Sequence, residues 1–144
     1  MSSQLPELET ARTVVYPWQC DSMGHLATQN YMKVFDDACC NLLGVLGFSL
    51  PEGIRARRGW ADVSHTIEYR RELLEGSLLF ALSCVTRLGR TSVTYRTRLM
   101  QAGSENQESA LLTGVMVYFD LEQRRPLELP EELRSRATEV FRLG

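Results

Sequence analysis

Several kinds of catalytic machinery are missing from this sequence. A Ser-His-Asp triad would have to use His25 or His65, the 2 histidines present, and the nearest approach to a nucleophile elbow, Gly47-Phe48-Ser49-Leu50-Pro51, lacks the second glycine. There is no H-E-x-x-H, no phosphate-cradling glycine loop and no dinucleotide fingerprint. The 4 cysteines contain no C-x-x-C pair, so neither a zinc site nor dithiol redox work is expected. Cys39 and Cys40 are neighbours on a helix and point about 100° apart, while Cys20 and Cys84 stand alone; this usage fits a reduced, cytoplasmic setting. The chain also lacks an excess of positive charge. A net charge of −2 argues against nucleic acid as the main partner. No run approaches the ~18 apolar residues of a spanning helix, and Met1 to Glu7 has neither a basic start nor an apolar core, so no membrane partner and no signal peptide are expected. The first eight residues are expected to be flexible.

What is present is ordinary for a globular protein: 44% hydrophobic and 24% charged residues over 144 positions, which predicts one domain spanning residues 1–144. Thr10 to Trp18 alternates with β-branched and aromatic residues and reads as a strand closed by Pro17. From Thr28 to Gly47, Tyr31, Val34, Phe35, Ala38, Leu42 and Val45 recur at helical spacing; Met32, Cys39, Leu43 and Leu46 widen the apolar face, which predicts a helix wrapped by the rest of the chain. Gly44 and Gly47 weaken its last turns and Pro51 is expected to stop it. Leu50 to Gly59 reads as a loop carrying Arg55, Arg57 and Arg58, either a lid or a solvated connection.

From Trp60 the period changes to that of strands. Val63, His65, Ile67 and Tyr69 form one apolar face, and three further alternating runs follow, centred on Leu82, Tyr95 and Val115. Gly89-Arg90 suits a two-residue type II′ hairpin, and Ala102 to Gln107 a polar hairpin loop. Glu131 to Phe141 reads as a short final helix after Pro126 and Pro130. The layout predicts an α+β fold: an antiparallel sheet of five or slightly more strands curled around one long central helix, with a short C-terminal helix.

The stretch Cys20-Asp21-Ser22-Met23-Gly24-His25-Leu26-Ala27-Thr28 places a carboxylate and an imidazole in a glycine turn directly ahead of a helix N-terminus, where backbone N–H groups are unpaired and the dipole is positive. Tyr16-Pro-Trp-Gln-Cys-Asp21-Ser-Met-Gly24-His25, followed by Tyr31 and Phe35, resembles the opening motif of the hot-dog-fold acyl-CoA thioesterases of the hydroxybenzoyl-CoA thioesterase type. Ile67-Glu68-Tyr69-Arg70-Arg71-Glu72-Leu73 with Gly76, and Leu88-Gly89-Arg90-Thr91-Ser92, are similar to later strands and turns of that family. One departure stands out: many members carry an asparagine pair after the histidine, where this chain has Ala27-Thr28.

The resemblance implies a hot-dog fold, an acyl-CoA substrate, no cofactor, no metal, and assembly as a homodimer or homotetramer with sites at the subunit interface. Hydrolysis of a thioester needs a nucleophile and a donor for the developing oxyanion. Asp21 supplies the first, as general base or as direct nucleophile, and the Thr28 backbone N–H the second. His25 tunes or orients Asp21, or contacts the thioester sulfur. Against this, aspartate commonly makes Asx-turns, and His25 can simply stabilise the turn. Tyr31 is a helix-core residue whose hydroxyl reaches the pocket; His65 is a core histidine or a substrate contact; Arg87 and Arg90, by the resemblance, hold coenzyme A phosphates. Two rival readings stay open: a hydratase or dehydratase relaying a proton through Asp21 and His25, and a non-catalytic module binding an acyl ligand or a carrier protein.

Overall fold

A computed structural model describes residues 5–144. The elements run β1 (Leu8–Val14), a 3-10 turn (Pro17–Gln19), α1 (Thr28–Val45), α2 (Leu50–Ala56), β2 (Arg58–Tyr69), β3 (Leu78–Leu88), β4 (Ser92–Gln101), β5 (Gln107–Asp120), β6 (Arg125–Pro126) and α3 (Glu131–Phe141). The strands form one antiparallel sheet in the order β1-β3-β4-β5-β2, with β6 beside the end of β5. This is the expected hot-dog architecture: a curled sheet around a long helix, with six strands when the two-residue β6 is counted.

The α1 periodicity is borne out in its burial. Val34, Phe35, Ala38 and Leu42 are each no more than 4% exposed and pack with the inward side chains of β3, β4 and β5, among them Leu79, Val85, Val93, Leu99 and Leu112. Each such Leu or Phe contributes about 1.5–3 kcal/mol by leaving water. Residues on the helix's second flank, Tyr31, Cys39 and Leu43, are buried as well, so α1 is enclosed on more than one side.

The sequence reading needs correction at several places. Pro51 does not stop α1. The helix ends at Val45 in a Schellman motif, in which Gly47 N–H donates to the Gly44 carbonyl and Phe48 N–H to that of Leu43 (both 3.0 Å). Pro51 instead sits in the first turn of α2, where a missing N–H costs nothing, and Ser49 caps that helix by accepting the Glu52 N–H at 3.3 Å. The segment read as an arginine-bearing loop is therefore mostly helix. The first strand ends at Val14, and Pro17 and Trp18 leave the sheet in the 3-10 turn. The turn after β3 is not type II′: Leu88 pairs with Val93, and Gly89 does not have the positive φ that type requires. Of the eight residues expected to be flexible, the first four lie outside the described residues. Leu8 opens β1, and the Glu7 carboxylate accepts two hydrogen bonds from Arg98 at 2.7 and 2.8 Å.

Strand β2 is an edge of the sheet, and its burial departs from the simple alternation expected. Its pairing with β5 shifts between Asp62 and Ser64, so Val63 is an extra residue in a β-bulge and is 62% exposed rather than part of the inward face. On either side of the bulge, Trp60 and Asp62, then His65, Ile67 and Tyr69, stand opposite the inward-facing β5 residues Tyr118, Met116, Gly114, Leu112 and Ala110. Both halves of the strand thus face the helix.

Candidate active site

The turn that opens α1 is closed by its own backbone. Asp21 N–H donates to the His25 carbonyl (2.8 Å), Gly24 N–H donates back to the Asp21 carbonyl (3.1 Å), and Cys20 and Leu26 form an isolated bridge. Gly24 adopts φ 79°, a conformation costly for a residue with a Cβ. The Asp21 carboxylate accepts the Met23 and His25 N–H groups through Oδ1, at 2.9 and 3.2 Å. That is the Asx-turn arrangement weighed from the sequence. It does not occupy the whole group, since Oδ2 accepts no hydrogen bond among the described residues.

The start of α1 is held from behind. The Gln19 carbonyl accepts both the Ala27 N–H (2.9 Å) and the Asn30 side-chain amide (2.8 Å), and Gln19 is 5% exposed. Sequence reading missed this pair. Asn30, two positions beyond Thr28, ties the first turn of the helix back to Gln19. Ala27 is the N-cap and gives no side-chain capping bond. The first turn of α1, beginning at Thr28, thus has no side-chain cap and no acidic side chain, which leaves its N–H groups and the positive end of the dipole uncompensated by the helix itself.

Opposite the turn lies the segment that follows β2. Arg70 and Arg71 N–H groups both donate to the Ser109 carbonyl (2.9 and 3.1 Å), Leu73 is fully buried, and Leu26 N–H donates to the Leu73 carbonyl at 2.8 Å, next to a bridge between His25 and Leu74. Tyr31, Tyr69, Arg70, Arg71 and Glu72 line a cavity of about 200 Å3 here. The Tyr31 and Tyr69 rings meet edge to face, 5.0 Å between centroids. Burial raises the Tyr31 phenol above its ordinary value, and the nearby Tyr69, Glu72 and Asp21 groups raise it further. Tyr31 is buried, borders the cavity and feels the Asp21 charge.

His25 is placed differently from expectation. Its backbone N–H, not its ring, contacts Asp21, and its imidazole Nε2 lies 3.3 Å from Glu72 Oε2. Glu72 and Tyr69 lie within the stretch that carried the family resemblance, but nothing in their local pattern marked them as site residues.

His65 is neither a buried core histidine nor part of this cavity. It lies four residues before Tyr69, about 13 Å along an extended strand. Its Nε2 is 3.4 Å from the Tyr95 hydroxyl and 3.8 Å from Asp62 Oδ1. Tyr95 is 2% exposed, and burial pushes its phenol well above the ordinary range. The neighbouring Cys39 thiol is likewise pushed up to about 11 by burial. Beyond it, Leu43, Phe48, Ile54, Trp60, Met116 and Leu121 line a second, largely apolar cavity of about 230 Å3 between α1, α2 and β2.

Arg87 and Arg90 are not brought to Asp21 within one chain. Leu78 pairs with Val14 at the Asp21 end of the sheet, and Arg87 lies nine residues along β3, about 30 Å away by strand rise. Arg90 pairs with Glu128 at 3.3 Å. No group of three or more potential metal ligands occurs among the described residues, and no single helix there is long and apolar enough to cross a membrane.

Residues 15–137 match the thioesterase-like superfamily. No match was found among curated proteins. Solved structures are similar over nearly the whole chain. One is a Staphylococcus aureus protein in complex with CoA, at 15% identity, covering 98% of this chain and 89% of that one, with a TM-score of 0.86. Another is a 1,4-dihydroxy-2-naphthoyl-CoA thioesterase from Synechocystis, at 18% identity, covering 90% and 95%, with a TM-score of 0.80. A third is a variant 4-hydroxybenzoyl-CoA thioesterase complexed with 4-hydroxybenzoyl-CoA, at 17% identity, covering 91% and 98%, with a TM-score of 0.82.

Proposed function

The chain belongs to the thioesterase-like superfamily, its match running over residues 15–137, and from that premise we propose that it hydrolyses an acyl-CoA thioester to the free acid and coenzyme A. One observation carries the reading: the helix that begins at Thr28 has no side-chain cap and follows directly on a turn whose Asp21 carboxylate is fixed by two backbone donors. The thioester carbonyl oxygen is placed against Thr28 N–H. Asp21 attacks the carbonyl carbon directly or takes the proton from an attacking water, and the tetrahedral oxyanion forms where the helix dipole favours negative charge. Its collapse expels the coenzyme A thiolate. Where water attacked, the free acid is formed at once and the thiolate takes up the proton that Asp21 removed; where Asp21 attacked, the acyl group is left on its carboxylate as a mixed anhydride, which water then hydrolyses to the free acid, restoring Asp21 and protonating the thiolate. Loss of one such oxyanion donor typically costs ~2.7–4 kcal/mol of transition-state stabilisation. Solved proteins of similar fold that bind CoA or acyl-CoA support the substrate class.

The assembly proposed is at least a homodimer, through the unpaired edge of β2. Antiparallel pairing of two β2 edges would set the far end of one protomer next to the Asp21 end of the other. That supports assigning the coenzyme A phosphates to Arg87 and Arg90 of a second copy, although they lie remote from Asp21 in their own chain.

The test is a panel of acyl-CoAs with a thiol reagent, run on the native protein and on Asp21→Asn. Asparagine keeps an oxygen for the Met23 and His25 N–H groups, so the turn should survive while the anionic group is lost. The expected outcome is a fall in kcat of at least ~10²-fold with an unchanged melting temperature. Near-normal thiol release by Asp21→Asn would refute the assignment of Asp21. Loss of enoyl absorbance without thiol release would favour a hydratase, and binding without turnover a carrier or ligand module. In the same assay, neutralising Arg87 and Arg90 should raise KM and leave kcat nearly unchanged, because phosphate contacts are made equally in ground and transition states. An unchanged KM would move the phosphate site elsewhere.

A further inference from the structure

We propose that Glu72 is a positioning residue of this site: it holds the His25 imidazole in one tautomer and one orientation at the mouth of the Tyr31–Tyr69 cavity. The proposal rests on the hydrolase reading above for its kinetic consequence, but not for its structural content. His25 Nε2 lies 3.3 Å from Glu72 Oε2, and the imidazole reaches no other carboxylate within salt-bridge distance among the described residues. At this separation the pair is a charge contact rather than a formed hydrogen bond; for a neutral imidazole to close it into one, the proton must sit on Nε2, which leaves Nδ1 as the acceptor. A free neutral imidazole already favours the Nε2–H form mildly, and Glu72 strengthens that preference.

The backbone around the pair is fixed from both sides, which a casual surface contact would not require. Glu72 is flanked by Arg71, whose N–H is tied to Ser109, and by the fully buried Leu73, whose carbonyl accepts the Leu26 N–H. His25 is fixed by its N–H on Asp21 Oδ1 and by its bridge to Leu74. The Cα positions of both residues are thus set by ladders that also set the Asp21 turn. Glu72 itself lines the cavity with Tyr31 and Tyr69, and beside burial and Tyr69 the charges of both Glu72 and Asp21 raise the Tyr31 phenol. Two segments distant in sequence therefore converge on His25: Asp21 on its backbone, Glu72 on its ring.

The carboxylate side chain is 75% exposed and that of His25 is 23% exposed. An ion pair so exposed stabilises a fold very little. The same weak contact bounds the tautomer bias at about fivefold, which a ring spectrum resolves where a melting curve does not.

The experiment compares Glu72→Ala with Glu72→Gln, using nitrogen-15 NMR of the imidazole and steady-state kinetics on the best acyl-CoA found. Glutamine retains an oxygen that accepts the Nε2 proton; alanine does not. The expected result is an Nε2–H tautomer in the native protein and in Glu72→Gln, and a mixture in Glu72→Ala. The kinetic counterpart is a kcat loss of roughly 2- to 5-fold in Glu72→Ala, the scale of an exposed charge contact, with KM unchanged and most of the loss restored in Glu72→Gln. In a His25→Asn background, Glu72→Ala should cost nothing further, because its effect passes through the ring. A native imidazole without a dominant Nε2–H form, an equal loss in the glutamine and alanine variants, or full additivity with His25→Asn would overturn the proposal. If the native protein releases no thiol from any acyl-CoA, the hydrolase reading fails while the tautomer measurement still decides the role of Glu72.

Discussion

Replacing Gly114 with alanine tests the way the inner face of the sheet is built. A Cβ at this position would lie 2.6 Å from the Tyr95 Cζ and hydroxyl oxygen and 2.8 Å from its Cε1. Carbon contacts settle at about 3.5–4.0 Å, so the ring would have to retreat by roughly 1 Å. It has little room, since Tyr95 is 2% exposed and its hydroxyl lies between Cys39 and His65. Forced overpacking of this kind costs about 1–3 kcal/mol, and loss of the Tyr95–His65 contact adds about 1 kcal/mol. Alanine returns roughly 0.5–1 kcal/mol by restricting the unfolded chain. The net loss of about 1–3 kcal/mol corresponds to a fall in Tm of roughly 2–12 °C at 2–4 °C per kcal/mol. Thermal unfolding followed by circular dichroism measures it. Tyr95→Phe, which removes the hydroxyl and adds no clash, should cost only about 1 kcal/mol, and Gly114→Ala should be much less harmful in a Tyr95→Leu background. An unchanged Tm in Gly114→Ala, or the same penalty with and without the tyrosine ring, would show that the ring does not lie over Gly114.

Asp120 carries a pH dependence of defined sign. The Gln123 N–H chiefly, then the Glu122 N–H and the Arg58 guanidinium, hold its carboxyl below the ordinary value of 3.8 against the opposing effect of burial. The folded value being the lower one, its contribution is present above 3.8 and is lost as the pH falls through the folded value. Urea unfolding should therefore show the native protein more stable than Asp120→Ala at neutral pH, with the gap shrinking in acid; a gap that widens in acid would refute the assignment. For the proposed assembly, light scattering should give at least twice the chain mass of 16.4 kDa, and Val63→Pro, placed in the middle of the β2 edge, should weaken it. A fully active monomer would refute the shared-edge arrangement.

The long helix was legible because Val34, Phe35, Ala38 and Leu42 repeat at a period that only a helix can bury on one side. The final helix, Glu131–Phe141, was legible to the residue, since Pro130 and the glutamates after it mark its start. Helix α2 was not, because seven residues are too few to display a period. Its signal lay in Ser49, Pro51 and Glu52, a cap and a first turn, of which the proline reads equally well as the stop of the helix before it. The bulge at Val63 was hidden because β-branched residues suit either face of a strand. At the site, Asp21 and Gly24 announce a turn by their local chemistry, whereas the contribution of Glu72 depends on a contact with His25 across 47 positions of sequence. Gln19 acts through its backbone carbonyl, which carries no side-chain signature at all.

The bulge also bears on how this protein can diversify. An uninterrupted strand has one phase, so a residue gained or lost anywhere along it reverses the facing of everything beyond. In β2 the extra residue at Val63 separates two independently phased halves: Trp60 and Asp62 border the cavity beneath α2, and Tyr69 leads into the pocket by Asp21. Substitutions that reshape the cavity near Trp60 need not disturb the register that brings Tyr69 and Glu72 to His25. A lineage can therefore vary one chamber while the other keeps its geometry, with a single unpaired residue as the joint between them.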